Sequence, residues 1–272
     1  MLEIDFTAIV LAASRRGSGD EVAKLNNKSH KCLVSLNGKA MIERVIQAVV
    51  DSGPVKRIFV SIEDPAVLRT VPKVAAWLDD GTIQPIKSQG NLAQSLLSAV
   101  EDITDPYPLI VTAGDNALHT AEMLEHFCAD VSTGDADAYI AMTQAQLVLD
   151  KYPEGARAFH RLKDGAYSSC NLYAAKSPAG VQGAKPFATG GQFGKKPWRI
   201  AKGFGLLSLI LYKLKWLTLD GVAKRISKAI KAKVSVVMLP WAEGPIDVDN
   251  LRDFALVTKI LKQKEGDREV DT

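Results

Sequence analysis

Short apolar runs alternate with amphipathic segments along this 272-residue chain. The apolar runs have the length and character of buried strands and cover residues 6–12, 57–62, 82–86, 108–113, 137–142, 168–175 and 233–239. Between them, apolar side chains recur every three to four positions, which predicts helices over residues 40–52, 91–103, 119–131 and 250–263. Strands that alternate with helices are typical of an α/β protein, so we expect a mainly parallel sheet covered by helices.

Residues 195–231 depart from this alternation and predict an inserted pair of helices. The uncharged run at 203–212 is too short to span a bilayer, which needs roughly 20 apolar residues. Flanking lysines and the indoles of Trp198 and Trp216 would suit a membrane surface. A lid over the site or a contact between subunits is the favoured interpretation, and membrane-surface contact is the minority one.

Composition is that of one large domain over residues 1–272, with 47% hydrophobic and 24% charged residues. The net charge of +3 is small, and basic and acidic residues are interspersed along the chain, so no nucleic-acid partner is expected. The three cysteines have no disulfide or zinc spacing, and the acidic residues Glu3 and Asp5 before the first strand lead us to expect no signal peptide. We therefore expect a cytoplasmic protein; its oligomeric state is not predicted.

The segment after the first strand has the chemistry of a phosphate-binding loop. Gly17 and Gly19 allow positive φ and close approach of N–H groups to an anion. Arg15, Arg16 and Lys31 can neutralise phosphate charge. Neither a complete Gly-x-Gly-x-x-Gly nor a Walker A sequence is present, and an ordinary turn is the alternative.

Two acidic positions follow later strands. Asp115 follows the apolar run at 108–113 after one glycine, at the edge of the sheet where a carboxylate could hold magnesium. An Asp that caps the next helix is an equally compatible interpretation. Alternation in the second cluster puts Asp247 and Asp249 on the same side of an extended backbone. Capping of the last helix, by Asp249 or Asp253, is the alternative there.

These features together resemble the MobA-like nucleotidyltransferase superfamily, which has a Rossmann-like, GT-A-like three-layer fold with a mixed, mainly parallel sheet. The similar segments are residues 9–13, 15–19, 37–44, 112–115 and 247–253, with Lys31 at the position of the signature lysine. Ser14, His30 and Ala40 depart from the family's glycine and prolines. The resemblance implies an enzyme that transfers a nucleoside monophosphate from an NTP to a phosphorylated small molecule.

The resemblance also implies a role for each candidate residue. Catalysis would involve Arg16, Lys31 and Asp115, and Mg²⁺ would be held by Asp115 and Asp247, with Asp249 as a further candidate ligand. Asn171 would face the acceptor, or satisfy buried backbone groups instead. Nucleotide contacts are expected from Ala12, Ala13, Ser14, Arg15, Gly17, Gly19, Gln89, Gly90, Asn91 and Ser95, although Ser88 or Asn91 could also simply cap a helix.

The acceptor could be a sugar phosphate, a polyol phosphate or a pterin cofactor, and the nucleobase is not predicted. A GT-A glycosyltransferase is one alternative, but its Asp-x-Asp would require a second acid where Ala117 stands. A non-catalytic nucleotide-binding or membrane-docking module is the other alternative. The presence of both Asp115 and Asp247 argues for the enzyme.

Overall fold

The computed structural model describes residues 4–14, 17–155, 159–187 and 211–270. Its strands are β1 (Phe6–Leu11), β2 (Ser35–Leu36), β3 (Lys39–Ala40), β4 (Val55–Ile62), β5 (Gln84–Lys87), β6 (Leu109–Ala113), β7 (Ala138–Gln144), β8 (His160–Leu162), β9 (Gly165–Ala175) and β10 (Val234–Met238). Its α-helices are α1 (Glu21–Lys24), α2 (Met41–Asp51), α3 (Pro72–Asp79), α4 (Leu92–Asp102), α5 (Ala121–Thr133), α6 (Ala145–Lys151), α7 (Pro178–Val181), α8 (Leu219–Ile230) and α9 (Leu251–Val270).

Every strand and helix predicted from the periodicity of the core segments is present. Short elements such as α1 and the β2–β3 hairpin were not predicted, because two to four residues are too few to show a period. Of the predicted inserted helical pair, residues 195–210 lie outside the described residues, and the remainder contains α8. Among the described helices, none combines the length and the apolar character needed to cross a bilayer.

The main sheet has the strand order β10-β7-β9-β6-β1-β4-β5, with β8 paired to β9. The strands β6, β1, β4 and β5 are parallel to one another, and β9 runs antiparallel between β6 and β7. The predicted mixed, mainly parallel sheet is therefore confirmed. The chain leaves β1 toward β4 and β5 and later returns to β6 on the other side, and ligands of open α/β sheets bind at the carboxyl ends beside such a reversal.

Helices cover both faces of this sheet. On β1, Ala8 and Val10 belong to the core under α2 and α5, whereas Ile9 belongs to the core under α4. This alternation is the two-residue period of a strand with both faces buried. On α2, the buried stripe repeats at helical spacing and consists of Ile42, Val45, Ile46 and Val49.

A second apolar cluster anchors the C-terminal part of the chain beside the carboxyl edge of the sheet. Helix α9 packs against the β2–β3 hairpin and α1. The buried side chains of this cluster include Val22, Val34, Leu36, Met41, Ile246, Val248, Leu256, Val257 and Ile260. Val248 is fully buried in this cluster. Its neighbours in sequence, Asp247 and Asp249, therefore lie at the carboxyl edge of the sheet as well.

Candidate functional site

The loop after β1 is shaped by Ser14 and Gly17. The Ser14 hydroxyl accepts a hydrogen bond from the Gly17 N–H at 2.9 Å. Gly17 has a φ of 52°, a conformation that favours glycine. Gly19 lies in a 3₁₀ turn and does not use the positive φ that glycine allows. Arg15 and Arg16 lie outside the described residues.

A cleft of about 420 Å³ connects this loop with the start of α4. The residues that line it are Ala13, Ser14, Glu63, Ser88, Gln89, Gly90, Asn91 and Leu92. The structure therefore brings together the two segments predicted to contact the nucleotide. Ala12 is buried behind the loop, and its N–H donates to Ser61 O at 2.9 Å.

Ser95 and Asn91 shape the wall of this cleft. The buried Ser95 hydroxyl accepts from the Gln89 N–H at 2.8 Å, so Ser95 positions the loop rather than lining the cavity. The Asn91 side chain accepts from the Gln94 N–H at 3.0 Å and is the N-cap of α4. The capping alternative is therefore correct for Asn91, which also faces the cleft.

Lys31 and Asp115 form an ion pair at the same edge of the sheet. Lys31 Nζ lies 2.6 Å from Asp115 Oδ2 and 3.1 Å from Asp249 Oδ1, and the Lys31 and Asp115 side chains are both 19% exposed. Burial lowers the pKa of Lys31, but the two carboxylates raise it by more. The lysine therefore stays charged and can donate to an anion.

Asp115 also presents a second buried acceptor atom. Its Oδ1 atom has no hydrogen-bond partner among the described residues. Gly114 lets this loop lie close to β1, since its N–H donates to Leu11 O at 2.9 Å. A Cβ at that position would lie 3.1 Å from Ile42 Cδ1. The close approach places Asp115 beside the end of β1, where the first loop begins.

The C-terminal acidic segment meets Asp115 through the backbone. The Val248 N–H donates to the Asp115 carbonyl oxygen at 3.3 Å, which joins this segment to the loop after β6. The carboxylates on either side of Val248 then have different partners, Lys31 for Asp249 and Asn171 for Asp247. The two segments predicted to supply metal ligands therefore lie together.

The start of α9 is capped by Asn250 together with Asp253, one of the two residues named in the capping alternative. The Asn250 side chain accepts from the Asp253 N–H at 3.0 Å, and Asp253 Oδ2 accepts from the Asp249 N–H at 3.2 Å. Asn250 and Asp253 thus satisfy the helix start reciprocally. Of the two residues in the capping alternative, Asp253 therefore takes part through its side chain, and Asp249 contributes only its backbone N–H.

Asn171 reaches the site from a bulge in β9. The register between β7 and β9 shifts between the Ile140–Tyr173 and Met142–Ser169 pairs, and Asn171 has a φ of 50°. Bulges of this kind re-aim side chains at functional sites. The Asn171 amide donates to Asp247 Oδ2 at 2.9 Å, so the predicted acceptor residue lies next to a predicted metal ligand.

A buried polar network lies beneath these side chains. Its central residue, His119, is only 5% exposed. Its Nδ1 lies 3.3 Å from Thr112 Oγ1, and its Nε2 lies 3.1 Å from Gly244 O. Burial lowers the pKa of His119. The neutral imidazole thereby links β6 to the turn that precedes Asp247.

The sequence comparison with protein families then decides the class. The model of the MobA-like NTP transferase domain matches residues 8–182, more than half of the chain. The chain belongs to the MobA-like NTP transferase family. The predicted family and the predicted transferase activity are confirmed. Lys31, Asp115 and Asn171 lie within the matched part of this NTP transferase, whereas Asp247 and Asp249 follow it.

Solved structures have the same fold as this NTP transferase. A hypothetical transferase from Thermus thermophilus is similar with a TM-score of 0.74 and 20% identity, over 92% of this chain and 100% of that one. A 4-diphosphocytidyl-2C-methyl-D-erythritol synthase from Anaerococcus prevotii gives a TM-score of 0.59 and 12% identity, over 96% and 97%. A CMP:2-keto-3-deoxy-manno-octonic acid synthetase complexed with CTP has a TM-score of 0.58 and 12% identity, over 96% of this chain and 100% of that one. No curated protein sequence matches.

The donor set of this NTP transferase fits magnesium. Among the described residues, no group of three or more His, Cys, Asp and Glu side chains could enclose a metal ion. Magnesium is commonly held by only one or two carboxylates, with waters and substrate phosphates completing the octahedron. Asp115 Oδ1, which has no partner in the described part of the chain, and the nearby Asp247 satisfy that requirement. Asp249 lies at the same edge of the sheet, where its Oδ1 is 3.1 Å from Lys31 Nζ.

Glu63 was missed by the sequence reasoning. It lies directly after β4 and lines the nucleotide cleft of this NTP transferase. The only sequence signal was its place directly after an apolar run, as Asp115 follows β6 after one intervening glycine. A second cavity, of about 350 Å³, lies between β10 and α8 and contains none of the predicted site residues.

Proposed function

We propose that this nucleotidyltransferase uses magnesium to join a nucleoside monophosphate to a phosphorylated small molecule, with release of pyrophosphate. The observation that carries the proposal is the meeting of three chain segments at one edge of the sheet. The loop after β1 lies beside the cleft, Lys31 pairs with Asp115, and Asp115 is bonded through its backbone to Val248. Their combination supplies backbone donors, a cation and carboxylates for a metal-bound triphosphate.

The reaction is an in-line displacement. A phosphate oxygen of the acceptor attacks the α-phosphorus of the NTP, and the bond from that phosphorus to the oxygen bridging the β-phosphorus breaks. Pyrophosphate carries away the electron pair of that bond. Catalysis comes from positioning and charge neutralisation, with no covalent enzyme intermediate.

Protein side chains divide the work between the two substrates. Lys31 donates to triphosphate oxygens, and its bond to Asp249 is the one that the triphosphate replaces. Asp115 and Asp247 hold magnesium, which when bound neutralises phosphate charge and orients the reacting groups. Arg16 adds positive charge to the first loop. Asn171, next to Asp247, donates its amide to the acceptor.

The acceptor we propose is a sugar phosphate, a polyol phosphate or a pterin cofactor. The names of two similar structures refer to a cytidine nucleotide: 4-diphosphocytidyl-2C-methyl-D-erythritol synthase and CMP:2-keto-3-deoxy-manno-octonic acid synthetase. CTP is therefore the nucleotide to test first. ATP, GTP and UTP follow against the same acceptor panel.

The test is pyrophosphate release with magnesium, measured for the wild type, Asp115→Asn and the control Asp79→Asn. Asp79 pairs with Arg69 at 2.7 Å on the exposed end of α3, so its replacement makes the same chemical change away from the site. We expect Asp115→Asn to lower kcat by about a hundredfold or more with little change in Tm. Full activity of Asp115→Asn with any productive pair of substrates would refute the assignment.

A further inference from the structure

Glu63 is a charged group inside the nucleotide cleft that the proposed chemistry does not use. It follows β4, the strand next to β1, and 41% of its side chain is exposed. The other side chains of the described lining are apolar or uncharged, with Ser88, Gln89 and Asn91 opposite the first loop. Glu63 is thus the one ionisable side chain of the described cleft lining.

The carboxylate of Glu63 is held in place from the side of the first loop. Its Oε1 and Oε2 atoms lie 3.2 and 3.3 Å from the Ser14 N–H nitrogen. His30 Nε2 lies 2.9 Å from Oε1, and the side chain of this histidine is only 8% exposed. A carboxylate accepts about four hydrogen bonds, so these contacts leave Glu63 with acceptor capacity that faces the cleft.

This arrangement suits the nucleoside and not the phosphates. A carboxylate repels the triphosphate, which therefore has to lie on the Lys31 side of the first loop. The remaining parts of an NTP that offer donors are the ribose hydroxyls and the N–H edge of the base. An ionised carboxylate only accepts, so it discriminates in favour of adjacent donors.

We propose that Glu63 is a specificity-determining residue that accepts hydrogen bonds from a pair of donors on the nucleoside, either the ribose diol or adjacent N–H groups of the base. The inference rests on the proposed function, because it assumes that an NTP occupies this cleft. The hydrogen bond from the Ser14 N–H holds the Glu63 carboxylate in place before a nucleotide binds. Binding therefore costs little conformational entropy at this side chain.

Equilibrium binding in the presence of magnesium tests the role without any acceptor. Dissociation constants are measured for ATP, GTP, CTP and UTP, for the 2′-deoxy form of the tightest one, and for inorganic tripolyphosphate. The variants are Glu63→Gln and the control Glu101→Gln, an exposed position in α4 where the same charge is removed. Tripolyphosphate isolates the phosphate part of the site from the nucleoside part.

We expect Glu63→Gln to weaken the preferred NTP by roughly ten- to hundredfold and to leave tripolyphosphate unchanged or tighter. Loss of preference among the four bases would assign the contact to the base, and a loss confined to the ribo form would assign it to the ribose. An equal weakening of NTP and tripolyphosphate would overturn the proposal, since it would mean that Glu63 only supports the loop. Unchanged NTP affinity would also overturn it. If the wild type binds tripolyphosphate but no NTP, the proposed function fails as well.

Discussion

Replacing Glu243 with glutamine tests how the segment that carries Asp247 is anchored to the rest of the protein. The Glu243 side chain is 1% exposed, and its Oε1 lies 2.9 Å from Lys151 Nζ and 2.9 Å from Lys264 Nζ. The Tyr152 hydroxyl donates to the same oxygen at 2.7 Å. These partners come from the end of α6 and from α9, so one buried carboxylate joins both helices to the turn before Asp247.

The pKa of Glu243 gives the size of this contribution. Burial raises the pKa, but the two ammonium groups and the tyrosine hydroxyl lower it by more, to about 2 from an ordinary value of 4.5. The difference corresponds to about 3 kcal/mol of stability at neutral pH. Because the pKa is depressed in the folded state, this stability is present above the unfolded pKa and is lost as the pH falls through the folded pKa. About 1 kcal/mol should remain near pH ~3.

Urea denaturation of the wild type and Glu243→Gln at about pH 7 and about pH 3 measures the effect. We expect the free energy of unfolding to differ by about 3 kcal/mol at the higher pH and by about 1 kcal/mol at the lower one. Glu154→Gln is the matched control, since Glu154 is 44% exposed and pairs with Lys259 of α9 at 2.6 Å. The electrostatic argument would be refuted if the difference in the free energy of unfolding between wild type and Glu243→Gln stayed constant with pH. It would also be refuted if that difference equalled the one found for Glu154→Gln.

Two further substitutions test the geometry of the site. Gly114→Ala should lower stability by about 1–3 kcal/mol in thermal unfolding, because its Cβ would meet Ile42 Cδ1 at 3.1 Å, whereas Gly53→Ala meets nothing within 4 Å and should have little effect; equal Tm values for both would contradict the close packing. Asn171→Gly keeps a backbone that suits a φ of 50° but removes the amide, so kcat with the acceptor should fall while NTP affinity and Tm stay unchanged. Asn171→Leu should in addition lose about 1–2 kcal/mol of stability, and an Asn171→Gly variant with full turnover would remove the residue from the acceptor site.

The sequence by itself determined the elements of the core and the edge of the sheet where chemistry occurs. A parallel strand buried on both faces has to be a short apolar run, as Phe6–Leu11 is, and a helix that covers it has to repeat apolar residues at helical spacing. The residue that follows such a strand lies at its carboxyl end, so the sequence alone predicts Asp115 at the same edge of the sheet as the first loop. The resemblance to the MobA-like family rested on these same short segments.

Only the tertiary structure decided which polar groups meet. Lys31 pairs with both Asp115 and Asp249, although these residues are far apart in sequence. His119 follows a strand like an ordinary loop residue, yet it is buried because β9 and the turn at Gly244 close over it. The physical reason is that strand order and register come from long-range packing, whereas a local pattern reports only which face of its own element is apolar. Glu63 shows the same limit, since its position in the cleft depends on the neighbouring Ser14 loop and on the turn that begins α4.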